Sequence, residues 1–325
     1  MSGEHIVIRF SAMGDILLTL PALLGLQQKH GQKPILVTGS KWQALKPFLP
    51  ANVKILQKKT DLLFMAKELK RNKPKSVFEL QGKIISLALA SMIAAPQTEI
   101  YKKRNLKEQF QAISKRFPIK LSDPRPVWKK YAEVCGVEPL CPEKLLVFPE
   151  DYEEQTYKLL EKCHLEPNKY ILIHPFASKP GKVLPDSLVE SLIERSPLPV
   201  VIMGVSDLEP KIKADYLDFR NSFSLNELPG IMMNAAAVIS SDSGPMHLAR
   251  AVGVPLAAVF LQTDPALGFS PVESPNNLVL SEPLPCKPCS LHGGNSLCPL
   301  GHFDCRKVDE KAYADKIFEF LDKFL

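Results

Sequence analysis

Residues Ser240–Ala249 (S-S-D-S-G-P-M-H-L-A) gather more groups able to do chemistry than any other stretch of this 325-residue chain. Asp242 and Ser243 can cap a helix, Gly244 lets the backbone come close to a ligand, and Pro245 suits a first helical position. The apolar run Ala235–Ile239 before them reads as a buried strand, and Leu248–Val252 after them reads as a helix. The predicted product is a strand, a tight polar turn and a free helix N-terminus with His247 on its first turn. Exposed N–H groups and the positive end of the helix dipole attract phosphate at such a place. A ligand bearing a diphosphate is the chemical expectation. The plainer one is a well-capped helix in an α/β domain.

Three other loops carry groups that suit this turn. Asp15 closes S-A-M-G-D, where a carboxylate beside a helix N-terminus can take a proton from an attacking hydroxyl; it can equally serve as an N-cap. His174–Lys182 (H-P-F-A-S-K-P-G-K) is a strand end with a doubly basic loop, and Lys182 can meet negative charge developing on a departing diphosphate. Glu209, beyond Met203-Gly204-Val205-Ser206-Asp207, can accept hydrogen bonds from ribose hydroxyls or simply open the next helix in solvent. Near the C-terminus Cys286, Cys289, Cys298 and Cys305 form C-x2-C-x8-C-x6-C, with His292 and His302 among them. That start suits tetrahedral zinc in a Gly- and Pro-rich loop without a core of its own; paired disulfides and free thiols are the other readings.

Short apolar runs alternate with longer amphipathic ones, the pattern of βαβ units on a parallel sheet. His5–Phe10, Pro34–Thr38, Val53–Leu56 and Ser76–Glu79 are the strands expected in the first half, with a helix over Ile16–His30. Asp151–His164 is a polar helix, and Tyr170–His174, Pro199–Met203, Ala237–Ser240 and Leu256–Phe260 make the second set of strands. Prolines 139, 142 and 149 mark a shift in composition. Two Rossmann-like halves follow, residues 1–150 and 151–325, with a cleft between them. Ligands of such sheets bind beyond the carboxyl ends of the strands, where all four loops fall. Neither half carries G-x-G-x-x-G or G-x-x-x-x-G-K-[ST], which argues against a nicotinamide enzyme or a P-loop ATPase.

Charge separates the halves. Residues 1–150 hold 25 Lys+Arg against 12 Asp+Glu, a net of +13, and the remainder holds 16 against 23, a net of −7. The excess peaks at Tyr101–Lys130 and includes Lys102, Lys103 and Arg104. An anionic partner is expected there, a phosphorylated glycolipid or a membrane surface, unless the run is only a solvated helix face. Nucleic acid is disfavoured, because no aromatic-interleaved basic motif or helix-turn-helix pattern is present. The start of the chain does not read as a signal peptide, no run reaches the roughly 18 apolar residues that span a bilayer, and an odd number of cysteines fits a reducing cytoplasm.

Taken together, R-F-S-A-M-G-D-I-L-L-T-L-P-A-L (Arg9–Leu23), the His174–Lys182 loop, S-D-S-G-P-M-H-L-A (Ser241–Ala249), T-D-P (Thr263–Pro265) and the late cysteines resemble glycosyltransferase family 9, the ADP-heptose:lipopolysaccharide heptosyltransferases. The resemblance covers nearly the whole chain. It implies a GT-B fold, with an N-terminal acceptor domain, a C-terminal nucleotide-sugar domain and a last helix, Val308–Leu325, returning toward the first. It implies inverting transfer of a heptose from ADP-heptose to a Kdo-lipid A type acceptor, with no metal required, at the cytoplasmic face of the bacterial inner membrane. By position Asp15 resembles the catalytic base, Lys182 the lysine at the donor phosphates, and Asp242 the contact to the donor sugar. Ser243, Gly244, Pro245 and His247 fall in the diphosphate turn, and Glu209 resembles the glutamate at the nucleoside. Lys102, Lys103 and Arg104 are the acceptor-side candidates. The chain departs from the family at Val183-Leu184, where Trp is common, and at Leu261-Gln262, where Gly-Pro is common. Another nucleotide sugar or acceptor, or a non-catalytic nucleotide- or glycolipid-binding module, are the alternatives.

Overall fold

The computed structural model describes residues 4–102, 119, 122–207, 210–293, 298 and 300–325. The chain divides into two compact units, Met1–Asn105 with Arg125–Pro149, and Leu106–Pro124 with Glu150–Leu325. A single cut near residue 150 is therefore crossed by one segment, within which the N–H of Ile119 donates to the carbonyl of Pro288 (2.9 Å).

In the first unit, β1 (His5–Ile8), β2 (Ile35–Gly39), β3 (Asn52–Leu56), β4 (Ser76–Glu79) and β5 (Gln97–Ile100) form a parallel sheet ordered β3-β2-β1-β4-β5. The central strands β1 (H-I-V-I) and β4 (S-V-F-E) are buried along their whole length, as strands covered on both faces must be. The helix expected at Ile16–His30 is two, α1 (Met13–Leu17) and α2 (Leu20–His30). The Thr19 hydroxyl donates to the Ile16 carbonyl (2.7 Å) at the break, and Pro21, lacking an N–H, sits in the first turn of α2. Two more helices, α3 (Leu62–Arg71) and α4 (Ile84–Ile93), pack on the sheet through Met65, Ala66, Leu69, Leu89, Ala90 and Ile93.

The second unit carries β6 (Ile171–His174), β7 (Val200–Gly204), β8 (Leu217–Arg220), β9 (Ala237–Ser241), β10 (Leu256–Phe260) and β11 (Asn277–Ser281), parallel and ordered β11-β10-β9-β6-β7-β8. The last helix, Glu310–Leu321, lays Tyr313, Ala314, Ile317, Phe318 and Leu321 into the same core as Leu188, Val189 and Leu192 of the helix Asp186–Arg195. Its apolar face is thus used within its own unit.

Strand order reverses at β1/β4 in one sheet and at β6/β9 in the other. At such points neighbouring loops diverge and leave a crevice beyond the carboxyl ends of the strands. Ser11–Asp15 leaves β1, while His174–Lys182 and Ser241–His247 leave β6 and β9.

Candidate functional site

Asp15 is the third residue of α1, not its cap; the cap position is Ala12. Its carboxylate reaches back to accept the Ala12 N–H at Oδ2 (3.2 Å), and Oδ1 lies 2.6 Å from Arg9 Nη2. The Arg9 side chain is 3% exposed and that of Asp15 22% exposed, so the acid keeps access to solvent while its partner does not. Arg9 is fixed in turn by donating Nη1 to the Leu80 carbonyl, and its guanidinium stands 5.6 Å from the Tyr131 ring centre. Burial raises the Tyr131 pKa well above its usual value, against an opposing pull from Arg9, so this phenol stays protonated.

The loop after β4 completes the arrangement. Gln81 Oε1 accepts the N–H groups of Phe10 (3.1 Å) and Ser11 (3.2 Å), and its Nε2 donates to Ser11 Oγ (3.3 Å). Glu79, fully buried, accepts from the N–H groups of Gln81 (2.7 Å) and Gly82 (2.8 Å). A side chain from the loop after β4 thus holds the loop that carries Asp15. The chemistry available is a positioned, partly solvated carboxylate able to take a proton.

In the second unit Lys182 Nζ stands 2.7 Å from Asp242 Oδ2, the two side chains 17% and 6% exposed. Thr263 Oγ1 donates to the same oxygen (2.7 Å). Asp242 therefore does not cap the helix Gly244–Val252. Ser243 occupies the N-cap position, but makes no side-chain cap. Its hydroxyl lies 3.3 Å from His174 Nδ1 and donates to the Ser241 carbonyl (3.2 Å). Pro245 is in the first turn and His247 is buried there. The N-cap side chain does not engage the helix N–H groups, and a lysine stands at the adjacent Asp242, as an anion site needs. Burial pulls the His174 pKa down to about 4, so the ring beside Ser243 is neutral at physiological pH.

One of the two departures from the family pattern, at Gln262, meets the loop that carries Lys182. Gly181 packs so closely on Gln262 that a Cβ would fall 1.7 Å from its Oε1, and the Gln262 N–H donates to the Gly181 carbonyl (3.2 Å). Lys287 is buried as well, with Nζ donating to Ser281 Oγ (2.7 Å). Burial lowers its pKa, opposed chiefly by Asp264, which lies 3.9 Å away.

Cys286, Cys289, Cys298 and Cys305 are free thiols, so the disulfide reading is set aside. Burial first, then Cys305, Cys286 and Cys298, pushes the Cys289 thiol up to about 11. The donor types suit zinc, but the spacing does not: among the described residues no group of three or more His, Cys, Asp or Glu is placed to hold a metal. The loop does touch the site, since a Cβ on Gly293 would lie 2.7 Å from Lys182 Cγ. Of the acceptor-side candidates Lys102 is exposed, while Lys103 and Arg104, like Glu209, lie outside the described residues. The sequence did not single out Arg9 or Gln81 for a role. The side-chain hydrogen bonds of Arg9 and Gln81 reach partners 70 or more residues away, and only the Arg9–Asp15 ion pair is local.

The model of Glycosyltransferase family 9 (heptosyltransferase) matches residues 62–296. A curated relative, Lipopolysaccharide heptosyltransferase 1 of Campylobacter coli, is 27% identical over 289 residues, covering 78% of this chain and 82% of the relative. Among solved structures, a glycosyl transferase family 9 protein from Veillonella parvula superposes with a TM-score of 0.76 at 19% identity, covering 99% of both chains. ADP-heptose lps heptosyltransferase II of E. coli superposes with a TM-score of 0.71 at 15% identity, covering 98% of this chain and 99% of that one. These likenesses show a shared GT-B fold. With the family model spanning well over half of its residues, the chain belongs to glycosyltransferase family 9, the heptosyltransferases, and is a glycosyltransferase.

Proposed function

We propose that the enzyme moves a heptose from ADP-heptose to a lipopolysaccharide inner-core acceptor of the Kdo-lipid A type, with inversion at the anomeric carbon. The observation that carries this reading is the Lys182–Asp242 pair (2.7 Å) beside the uncapped start of the helix Gly244–Val252. A diphosphate brought there gains helix N–H groups and a lysine, and the lysine has Asp242 as its resting partner. The relatives support the donor and the acceptor class, since one is named for ADP-heptose and another for lipopolysaccharide.

Asp15 supplies the base. Its carboxylate takes the proton of the acceptor hydroxyl as the oxygen attacks the anomeric carbon. The bond from that carbon to the β-phosphate oxygen breaks, and ADP departs with its new charge met by Lys182 and the 243–247 turn. The proton stays on Asp15 and passes to solvent. Attack from the face opposite the leaving group inverts the centre, and no step uses a metal. Asp242 and His247 contact the donor, and Glu209 contacts its nucleoside. The anionic acceptor sits against the basic unit, with Lys102, Lys103 and Arg104 at its charged groups, and the enzyme works peripherally at the cytoplasmic face of the inner membrane.

The test is Asp15→Ala with ADP-heptose and Kdo-lipid A. Transfer is expected to fall by at least about 1,000-fold with ADP affinity unchanged, in line with loss of a general base. Transfer near the wild-type rate overturns the assignment, and a faster rate with a UDP- or GDP-sugar overturns the donor.

A further inference from the structure

The first unit exposes large apolar side chains at one edge. Leu63 is 63% exposed, Phe64 71% and Ile84 85%. Leu63 and Phe64 lie in the first turn of α3, and Ile84 is the first residue of α4. Helices α3 and α4 pack against each other, and both start from the carboxyl ends of strands of one parallel sheet. Their first turns therefore share an edge. Asp15, which follows β1, is on that same edge.

The rest of α3 explains why these side chains have no place inside. Leu62, Met65, Ala66 and Leu69 already fill the face toward the sheet. Leu63 and Phe64 fall on the opposite face, and Lys67 follows one turn later. In α4 the run I-I-S-L-A-L-A-S-M-I is apolar on both faces, with Leu87 and Ala88 only half-buried. Single exposed apolar residues are ordinary, but three at one edge are not.

Charge selects the occupant. Lys58, Lys59, Lys67 and Lys83 are exposed around the three side chains. Among the described residues none of the four pairs with a carboxylate. The nearby acids are engaged otherwise: Asp61 accepts the Lys58 N–H (3.0 Å), and Glu68 pairs with Lys54 (2.5 Å). Apolar tips ringed by lysines match the boundary of a bilayer with anionic headgroups, where rings and branched chains enter the acyl region and ammonium groups stay at the phosphates. No helix of the described residues is long and apolar enough to cross a membrane, so contact would be with the surface.

We infer that the first turns of α3 and α4, through Leu63, Phe64 and Ile84 with Lys58, Lys59, Lys67 and Lys83, dock the enzyme on an anionic bilayer. The inference deepens the reading of a lipid-anchored acceptor, because the docking edge is the one that carries Asp15. A hydroxyl just above the headgroups is then brought to the base without the lipid leaving the bilayer.

The test is sedimentation of the full chain with acceptor-free vesicles, either phosphatidylethanolamine with phosphatidylglycerol or phosphatidylcholine alone. The wild type is expected to sediment with the phosphatidylglycerol vesicles and to be released by salt. The L63S/F64S/I84S variant should bind at least tenfold more weakly, and K58Q/K59Q/K67Q/K83Q should lose the preference for phosphatidylglycerol. F64W should show blue-shifted emission with the same vesicles. Unchanged melting and an unchanged ADP-induced thermal shift exclude misfolding. A wild type that stays in the supernatant, or variants that sediment like it, overturn the inference. Acceptor-free vesicles report docking alone, so a failed Asp15→Ala test and a failed docking test are told apart.

Discussion

Two ion pairs, one in each unit, give different kinds of variant. Arg9 meets Asp15 at 2.6 Å from a nearly buried position, so it orients the carboxylate without being open to substrate itself. Replacing it with Gln leaves Asp15 held only by the Ala12 N–H. Transfer should then fall about 100-fold, the scale expected when a catalytic group shifts by about an ångström. The loss belongs in kcat, with the KM for the nucleotide sugar unchanged; a loss confined to KM would show that Arg9 contacts substrate. Lys182 differs, because its partner Asp242 is the more buried of the two. Lys182→Ala should weaken ADP binding by roughly 10- to 100-fold, the worth of one charge-assisted hydrogen bond. It also leaves Asp242 with Thr263 alone and adds repulsion toward a phosphate. Calorimetry of Lys182→Ala beside the Lys182→Ala/Asp242→Asn double variant separates the two effects: partial recovery in the double variant is expected. Equal affinities would mean that Asp242 carries no charge penalty.

At the scale of elements, the loops are set by tight contacts that join distant parts of the chain. Gly181 and Gln262 are the clearest case, since a methyl at 181 would meet the Gln262 side chain, itself 2% exposed. Gly181→Ala should cost about 1–3 kcal/mol, as overpacking does, and Gln262→Ala should recover most of it. Additive melting shifts in that cycle would refute the contact. The Cys286–Cys305 loop lies against Lys182 with free thiols, so alkylation of the denatured, unreduced protein should count seven thiols, and a count of three would restore two disulfides. The inner strands were legible in the sequence where they are short apolar runs covered on both faces, as Leu256–Phe260 is, and it falls where expected. The strands β5, β8 and β11 were not. As edge strands with exposed or half-buried residues (Q-T-E-I, L-D-F-R, N-L-V-L-S) they carry little of the apolar signal that sequence reading depends on. The site shows the same division. A strand, turn and proline announced the helix start at Gly244, whereas no local pattern announces that Asp242 turns from capping to a lysine 60 positions earlier.

For the molecule as a whole, charge and burial together set how it responds to pH. The basic first half remains cationic at any physiological pH, so attraction to anionic surfaces should not vanish near neutrality; its control is salt. Stability is another matter, because each unit has built a histidine into its fabric in neutral form. In the first unit His5 stacks on His30 at 3.8 Å and shares a hydrogen bond with Ser76 (2.7 Å); burial, then His30, Lys75 and Lys29, pulls its pKa down to about 4. In the second, burial does the same to His174. The unfolded chain binds these protons near pH 6.5 and the folded one only near 4. The unfolded state is therefore the better proton acceptor between those values, and the stability held above pH 6.5 is lost as pH falls toward 4. The slope is at most about 1.4 kcal/mol per pH unit for each ring. Melting of the wild type should drop steeply below pH 6.5. His5→Asn, which keeps a polar partner for Ser76, should flatten the part of that drop belonging to the first unit while leaving the ADP-induced shift intact. A melting curve independent of pH over this interval would show that neither ring is held neutral by the fold.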